Sequence, residues 1–241
     1  MTRIYTAQEL TPGTTVTLDD DAAHHVRDVL RCTRGTALVL FNGDGCDYTA
    51  ELTVVGRGAV TADVVARQPR ALESPLAITL VQAVSRGERM DYTVQKAVEL
   101  GVTAIVPVMS RRSVVRLDGA REEKRLAHWR GIVRHAAEQS GRSVLPEVQP
   151  VVSLAQWLTA RPTGACLLLE PGAERNLAQI PDPGAALAIV AGPEGGFETE
   201  EVALMRAHGV SGVRLGPRIL RTETAALCAL VVLQTRFGDL A

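Results

Sequence analysis

Glu194, Arg218, Arg221 and Glu223 are the residues of this chain best suited to move protons and steady charge, and they stand in two segments near the C-terminus. A carboxylate accepts protons, and an arginine stabilises negative charge as it develops on an oxygen. In residues 187–197, LAIVAGPEGGF, an apolar run stops at Gly192-Pro193-Glu194-Gly195-Gly196. In residues 213–237, VRLGPRILRTETAALCALVVLQTRF, a short strand leads into a loop with two arginines and then a long helix with Thr222 as its expected N-cap. The glycines let a ligand approach the backbone and supply positive φ. No Gly-Lys-Ser/Thr follows them, and no G-x-G-x-x-G with a downstream acid is present, so neither a P-loop nor a dinucleotide loop is expected. Pro193 removes an amide donor and Glu194 puts negative charge where a phosphate would sit, which favours a neutral or cationic ligand. A plain glycine connection has the same composition, and a glutamate in a first helical turn stabilises the helix by itself. The residues alone leave those readings open.

These segments need a scaffold. Residues 187–191 have the length and composition of a strand buried on both faces, and Glu198, Thr199, Glu200 and Glu201 open a helix. Loops at the carboxyl ends of such strands are where open α/β sheets bind ligands. From residue 76 onward strand and helix alternate: strands at 76–84, 102–109, 166–170 and 187–191, and helices at 91–100 and 121–139. Met90, Val94, Ala97 and Val98 mark the apolar side of the first helix, and Leu126, Trp129, Val133 and Ala136 that of the second. This alternation predicts a mainly parallel α/β sheet over residues 73–241. Residues 1–72 instead hold short β-rich runs at 37–41, 48–55 and 60–65 between Gly-Asp turns, with one short helix at 24–30, the pattern of a small antiparallel barrel or sandwich. Pro69 and Pro75 bracket the expected boundary, at residues 68–75.

Composition sets outer limits. A chain of 241 residues with 46% hydrophobic content buries a sizeable core, as one large domain or two smaller ones. No apolar run approaches the roughly 20 residues of a membrane span, and the first residues, MTRIYTAQEL, lack the apolar core of a signal peptide; the cytoplasm is the expected location. Cys32, Cys46, Cys166 and Cys228 are scattered, without a C-x-x-C or a histidine at ligand spacing, so neither a zinc site nor a disulfide framework is expected. The net charge of −1 does not by itself suggest nucleic acid, but only Lys96 and Lys124 among the 26 basic residues are lysines. Arginine forks onto phosphates and stacks on bases, so Arg111, Arg112 and Arg142 are candidate RNA contacts, although compositional bias and charged solvated helix faces produce the same clusters.

The pairing of GPEGGF (192–197) with LGPRILRTETAAL (215–227) resembles the RsmE family of 16S rRNA (uracil-N3)-methyltransferases, in the SPOUT superfamily. Two further segments resemble the family in the same order: RGERMDYTVQKAVELG (86–101) and EQSGRSVLP (138–146). Arg3-Ile4-Tyr5 and residues 24–31 are similar to its small leading domain, so the resemblance covers nearly the whole chain. Ser85 stands where many relatives carry a lysine, leaving Arg86 as the neighbouring cation.

The resemblance implies a SPOUT-type sheet with a C-terminal trefoil knot, a homodimer, and an N-terminal PUA-like β-barrel. It implies S-adenosylmethionine as cofactor, held by three loops that map onto Leu168, Leu169 and Glu170, onto Gly192, Pro193, Gly195 and Gly196, and onto Leu215, Gly216, Ile219 and Leu220. The implied substrate is one uridine of 16S rRNA on the assembled small ribosomal subunit. Arg221, Glu194, Glu223 and Arg218 are the candidate catalytic residues, Arg221 first among them. Arg3, His24, Arg27 and Arg31 are the candidate RNA contacts of the leading domain. Two alternatives stay open: another SPOUT RNA methyltransferase, acting on ribose 2′-oxygens or tRNA, and a non-catalytic RNA-binding or ribosome-assembly protein.

Overall fold

A computed structural model describes residues 1–113, 119–161 and 163–240. Contacts divide the chain into two compact units, Met1–Glu73 with Arg134–Leu145, and Ser74–Val133 with Pro146–Ala241. The change at residue 73 falls inside the expected boundary. The return of Arg134–Leu145 to the first unit was not expected, and a contiguous split at 72/73 does not describe it.

The first unit is built on a five-stranded sheet in the order β1-β3-β4-β5-β2, with β1 Arg3–Tyr5, β2 Thr15–Thr17, β3 Ala37–Phe41, β4 Cys46–Val55 and β5 Val60–Pro69. The hairpin strands β3, β4 and β5 pair antiparallel, while β1 joins β3 in parallel. Alternation along β4, where Cys46, Tyr48, Ala50 and Leu52 are buried, directs one side of the sheet into a core shared with Ile4, Val26, Leu38 and Leu40. Asp19 caps α1 (Asp20–His24), its carboxylate accepting from the Ala22 amide. The chain then continues as one π-helical turn, His25–Val29.

The second unit carries a wholly parallel sheet, seven-stranded among the described residues, in the order β12-β10-β11-β6-β7-β8, with β9 also on β7. Its strands are β6 Ala77–Ala83, β7 Ala104–Met109, β8 Glu147–Val148, β9 Val152–Ser153, β10 Ala165–Leu169, β11 Ala186–Ala191 and β12 Ser211–Val213. Helices α2 (Glu88–Glu99), α3 (Gly119–Ser140), α4 (Leu154–Ala160), α5 (Thr199–Ala207) and α6 (Thr222–Phe237) connect or follow them; α3 ends in the segment that belongs to the first unit. On one face, Leu154, Trp157 and Leu158 of α4 and Met205 of α5 pack against Val81, Ala83, Val106, Cys166, Leu168 and Val190. On the other, α6 lies against β6 and β11 and packs on α2. Burial on both faces is why these strands read as unbroken apolar runs.

One detail of α6 differs from expectation. Thr222 is the first helical residue and Arg221 the N-cap, because the Thr222 hydroxyl is engaged elsewhere. The helix is buried along one stripe, Thr222, Ala226, Ala229, Leu230, Leu233 and Gln234, and Val231 on its other side stays exposed. The buried Gln234 amide donates to the carbonyls of Leu100 and Gly101, both at 3.2 Å, while its oxygen accepts from Ser74 at 2.6 Å. Gly101, which ends α2, has φ of 78°, and a Cβ there would stand 2.7 Å from that amide nitrogen. Only glycine meets both conditions.

Candidate active site

The sheet order reverses between β6 and β11, and beside that point the carboxyl ends of β10, β11 and β12 surround a cavity of about 510 Å³. That is the size and position of a cofactor-sized pocket in an open α/β sheet. The expected residues Leu168, Leu169, Glu170, Gly192, Pro193, Glu194, Gly196, Leu215, Gly216, Arg218, Ile219, Leu220, Arg221 and Glu223 all line it. Gly195 does not; its carbonyl accepts from Arg112 Nη1 at 2.8 Å, and a Cβ there would touch the Arg112 side chain at 3.4 Å.

A polar network fixes the loop after β11 to the start of α6. Thr222 Oγ1 donates to the Gly192 carbonyl and accepts from Gln82 Nε2 at 3.0 Å, which also donates to the Ala83 carbonyl at 3.1 Å. Gln82 is fully buried near the end of β6, and its Oε1 has no hydrogen-bond partner among the described residues. Sequence reasoning passed over Gln82, although an amide in an otherwise apolar strand was the available signal. A Cβ at Gly192 would stand 3.3 Å from the Phe197 ring, so that ring closes over the loop only because residue 192 is glycine.

Three carboxylates line the cavity, each in a different electrostatic setting. Glu170 is bonded through both oxygens, at 3.0 Å each, to Arg206 Nη2. Glu194 Oε1 accepts from the Arg86 amide at 3.1 Å and from Arg89 Nη1 at 2.9 Å. Burial opposes ionisation of Glu194, but its own amide, the Arg86 amide and the Arg89 guanidinium outweigh it and hold the carboxyl below the usual range. A carboxylate so stabilised is a poor proton acceptor, which counts against Glu194 as the base and leaves it as a fixed negative charge. Glu223 Oε2 is buried and has no hydrogen-bond partner among the described residues. Across from these acids, Arg218 and Arg221 are exposed, while Arg214 is tied down at the carbonyls of Ala173 and Glu174. Burial pushes the Cys166 thiol up to about 11, so this neighbour on β10 is no nucleophile.

The expected RNA contacts stand in different settings. Arg142 is only 5% exposed and is spent on Glu73, with Nε 3.1 Å from Oε1 and a further bond from Nη2. Arg3 is bound to Asp47, to the Arg142 carbonyl at 3.1 Å and to Ser143 Oγ at 3.0 Å, and it stacks 4.9 Å from the Phe41 ring centre. Both side chains are engaged within the first unit, and a basic residue near a turn looks alike in sequence whether it faces solvent or an acid distant in the chain. Arg111 and Arg112 brace the pocket. The Arg111 amide donates to Glu201 at 2.9 Å and its side chain to Glu198 at 3.1 Å, joining the end of β7 to α5. Arg27 forks onto Asp28, whose carboxyl falls to about 2 chiefly through that bond. His24 and Arg31 remain exposed, His24 paired with Asp28 at 2.8 Å and Arg31 at φ of 53°.

The sequence matches the RNA methyltransferase domain family over residues 72–234 and the RNA methyltransferase PUA domain family over residues 18–65. Fold, pocket and match together define an RNA methyltransferase. A ribosomal RNA small subunit methyltransferase E from Neisseria gonorrhoeae, bound to S-adenosyl methionine, is 43% identical with a TM-score of 0.96, covering 100% of both chains. A putative methyltransferase from Legionella pneumophila, in complex with the same cofactor, is 40% identical with a TM-score of 0.95, covering 99% of this chain and 98% of that one. The ribosomal RNA small subunit methyltransferase E of Mycobacterium bovis is 36% identical over 226 residues, 90% of this chain and 85% of its own. The chain belongs to the ribosomal RNA small subunit methyltransferase E family.

Proposed function

We propose that this chain transfers a methyl group from S-adenosylmethionine to N3 of one uridine in 16S rRNA on the assembled small ribosomal subunit. The observation that carries the reading is that the loop after β11 and the segment before α6 share one cavity, where apolar walls meet Glu170, Glu194 and Glu223. These features fit the cofactor: Leu168, Leu215 and Leu220 suit an adenine, the glycine backbone admits close approach, and fixed carboxylates favour a cation. When bound, S-adenosylmethionine supplies a methyl group on a cationic sulfonium and departs as a neutral thioether.

The residues of the chain have the remaining tasks. N3 of uracil must lose its imide proton and align behind the methyl–sulfur bond. Arg218 and Arg221 at the cavity mouth hold the base and neutralise charge developing on its carbonyl oxygens. Glu223 is the preferred proton acceptor, since its Oε2 has no competing partner whereas Glu194 is already bound to Arg89. A uridine reaches this depth only when single-stranded or flipped out.

The same reading gives the N-terminal unit an RNA-clamping role as a PUA-like barrel, with the exposed His24 and Arg31 as its polar contacts. It treats the C-terminal segment as a trefoil knot. In support, Arg214 bonds the loop after β10 at Ala173 and Glu174, Leu177 donates to the Arg214 carbonyl at 2.9 Å, and Arg236 of α6 reaches the Leu177 carbonyl at 3.4 Å. A homodimer formed across α6 accounts for the apolar side chain of Val231 left exposed on that helix and for Ile219, 85% exposed at the cavity rim. No helix among the described residues is long and apolar enough to cross a membrane, consistent with a cytoplasmic ribosomal substrate.

Calorimetric titration of the purified chain with S-adenosylmethionine tests the cofactor assignment. One site per chain, weakened by Thr222→Val, supports it. Absence of binding at millimolar ligand contradicts it and returns the chain to the non-catalytic alternative.

A further inference from the structure

In the first unit, away from the methyl-transfer cavity, His25, His135 and Glu138 converge on one point. One ring nitrogen of each histidine and one carboxylate oxygen of Glu138 all lie within 4.8 Å of one another. Glu138 Oε2 is 3.6 Å from His25 Nδ1 and 3.1 Å from His135 Nδ1, and the two rings meet edge to face with centres 5.5 Å apart. Bonds of about 2.0–2.2 Å at tetrahedral angles put ligand atoms roughly 3.3–3.5 Å apart, and the two imidazole–carboxylate separations fall on either side of that range, so small side-chain rotations bring them to it.

Local structure explains the convergence. His135 and Glu138 are three apart on α3 and share a face. His25 opens the π-helical turn after α1, a departure from α-geometry that recurs at functional sites. The other oxygen of Glu138 accepts from the Tyr5 amide at 2.9 Å, which fixes the carboxylate and leaves Oε2 turned to the histidines. The three residues line a cavity of about 420 Å³, open to solvent on the side of His135. Its one guanidinium, Arg134, is held by Asp21 at 2.8 Å.

The geometry points to a divalent transition-metal site, of the zinc type, with two imidazoles and one carboxylate as protein ligands and a fourth position left to solvent. A carboxylate set between the two imidazole nitrogens disfavours an anion there, and the nitrogen-rich donor set disfavours Mg²⁺ and Ca²⁺. The ion joins the turn after α1 to the last turns of α3, two segments of the first unit remote in sequence. Spacing rules did not show it because the ligands come from both sides of the second unit's sequence.

Competition of the chelator-treated full-length protein against a chromogenic zinc chelator tests this, with Co²⁺ as a spectroscopic probe. One equivalent of Zn²⁺ is expected at micromolar concentration, with affinity falling by at least about tenfold in His135→Ala and in Glu138→Gln and unchanged in His208→Gln. The Co²⁺ form is expected to show weak visible bands without thiolate charge transfer. His135 is 68% exposed, so its replacement leaves the fold in place. Failure to bind at micromolar Zn²⁺, undiminished binding in His135→Ala, or a thiolate band would each overturn the assignment.

Discussion

Thr222 donates its hydroxyl hydrogen to the carbonyl of Gly192, and this one bond joins the two segments that build the cavity. Because the same hydroxyl accepts from the buried Gln82 amide, the loop after β11 and the first turn of α6 are positioned from the sheet itself. Thr222→Val keeps the shape but takes one partner from the half-buried Gly192 carbonyl and one from the buried Gln82 amide, a loss of about 1–3 kcal/mol in stability. We expect cofactor affinity to fall by about tenfold, near 1.4 kcal/mol, and Thr222→Ser to restore it. Calorimetry beside urea unfolding checks both; unchanged affinity in Thr222→Val would show that the network does not position the loop.

The two glycines of this loop differ in what they tolerate. Gly192→Ala forces a methyl group to within 3.3 Å of the Phe197 ring and 3.4 Å of the Gly196 Cα, and is expected to weaken cofactor binding. Gly195→Ala meets only the flexible Arg112 side chain, and is expected to bind within about twofold of wild type, in the range of surface substitutions. The reverse order of affinities would contradict the placement of the loop.

Glu194 sets a pH limit. Its folded-state carboxyl lies below the ordinary value of 4.5, so its favourable contribution is fully present above 4.5 and is lost as pH falls through the lowered value. Cofactor affinity should therefore owe nothing to Glu194 titration between pH 6 and 8, and Glu194→Gln should leave the shape of the pH–rate profile in that range unchanged. A proton-acceptor role would instead make the profile of that variant lose its acid limb.

Arg142→Ala is predicted to act on stability. Removing a buried guanidinium from Glu73, itself 30% exposed, should cost about 2–3 kcal/mol, below the loss for a fully buried pair. Arg31→Ala should weaken RNA binding with little change in melting temperature. Filter binding and thermal unfolding of the two variants separate these roles, and the account fails if Arg142→Ala melts like wild type.

Much of the second unit was legible in sequence because its strands are buried on both faces and its helices carry apolar stripes; residues 187–191 and the apolar side of α2 stand out for that reason. The cavity loops were legible through their glycines and charges. What escaped was long-range partnership. Gln82 looked like one polar residue in an apolar run until Thr222 and Gly192 were beside it, and Arg142 looked like a free cation until Glu73 was. The strands β8 and β9, two residues each, and the seven-residue α4 are too short for periodicity to register.

Glu223→Gln should lower kcat while leaving cofactor affinity near wild type, because an uncharged amide keeps the shape and removes only the proton acceptor. Equal losses in both would assign Glu223 to cofactor binding.

The most direct measurement is transfer of a labelled methyl group from S-adenosylmethionine to small ribosomal subunits that lack the modification, beside naked 16S rRNA and tRNA, with the product nucleoside identified by mass spectrometry. The account predicts 3-methyluridine, formed on the subunit. A ribose-methylated nucleoside, or label found in tRNA, would contradict it.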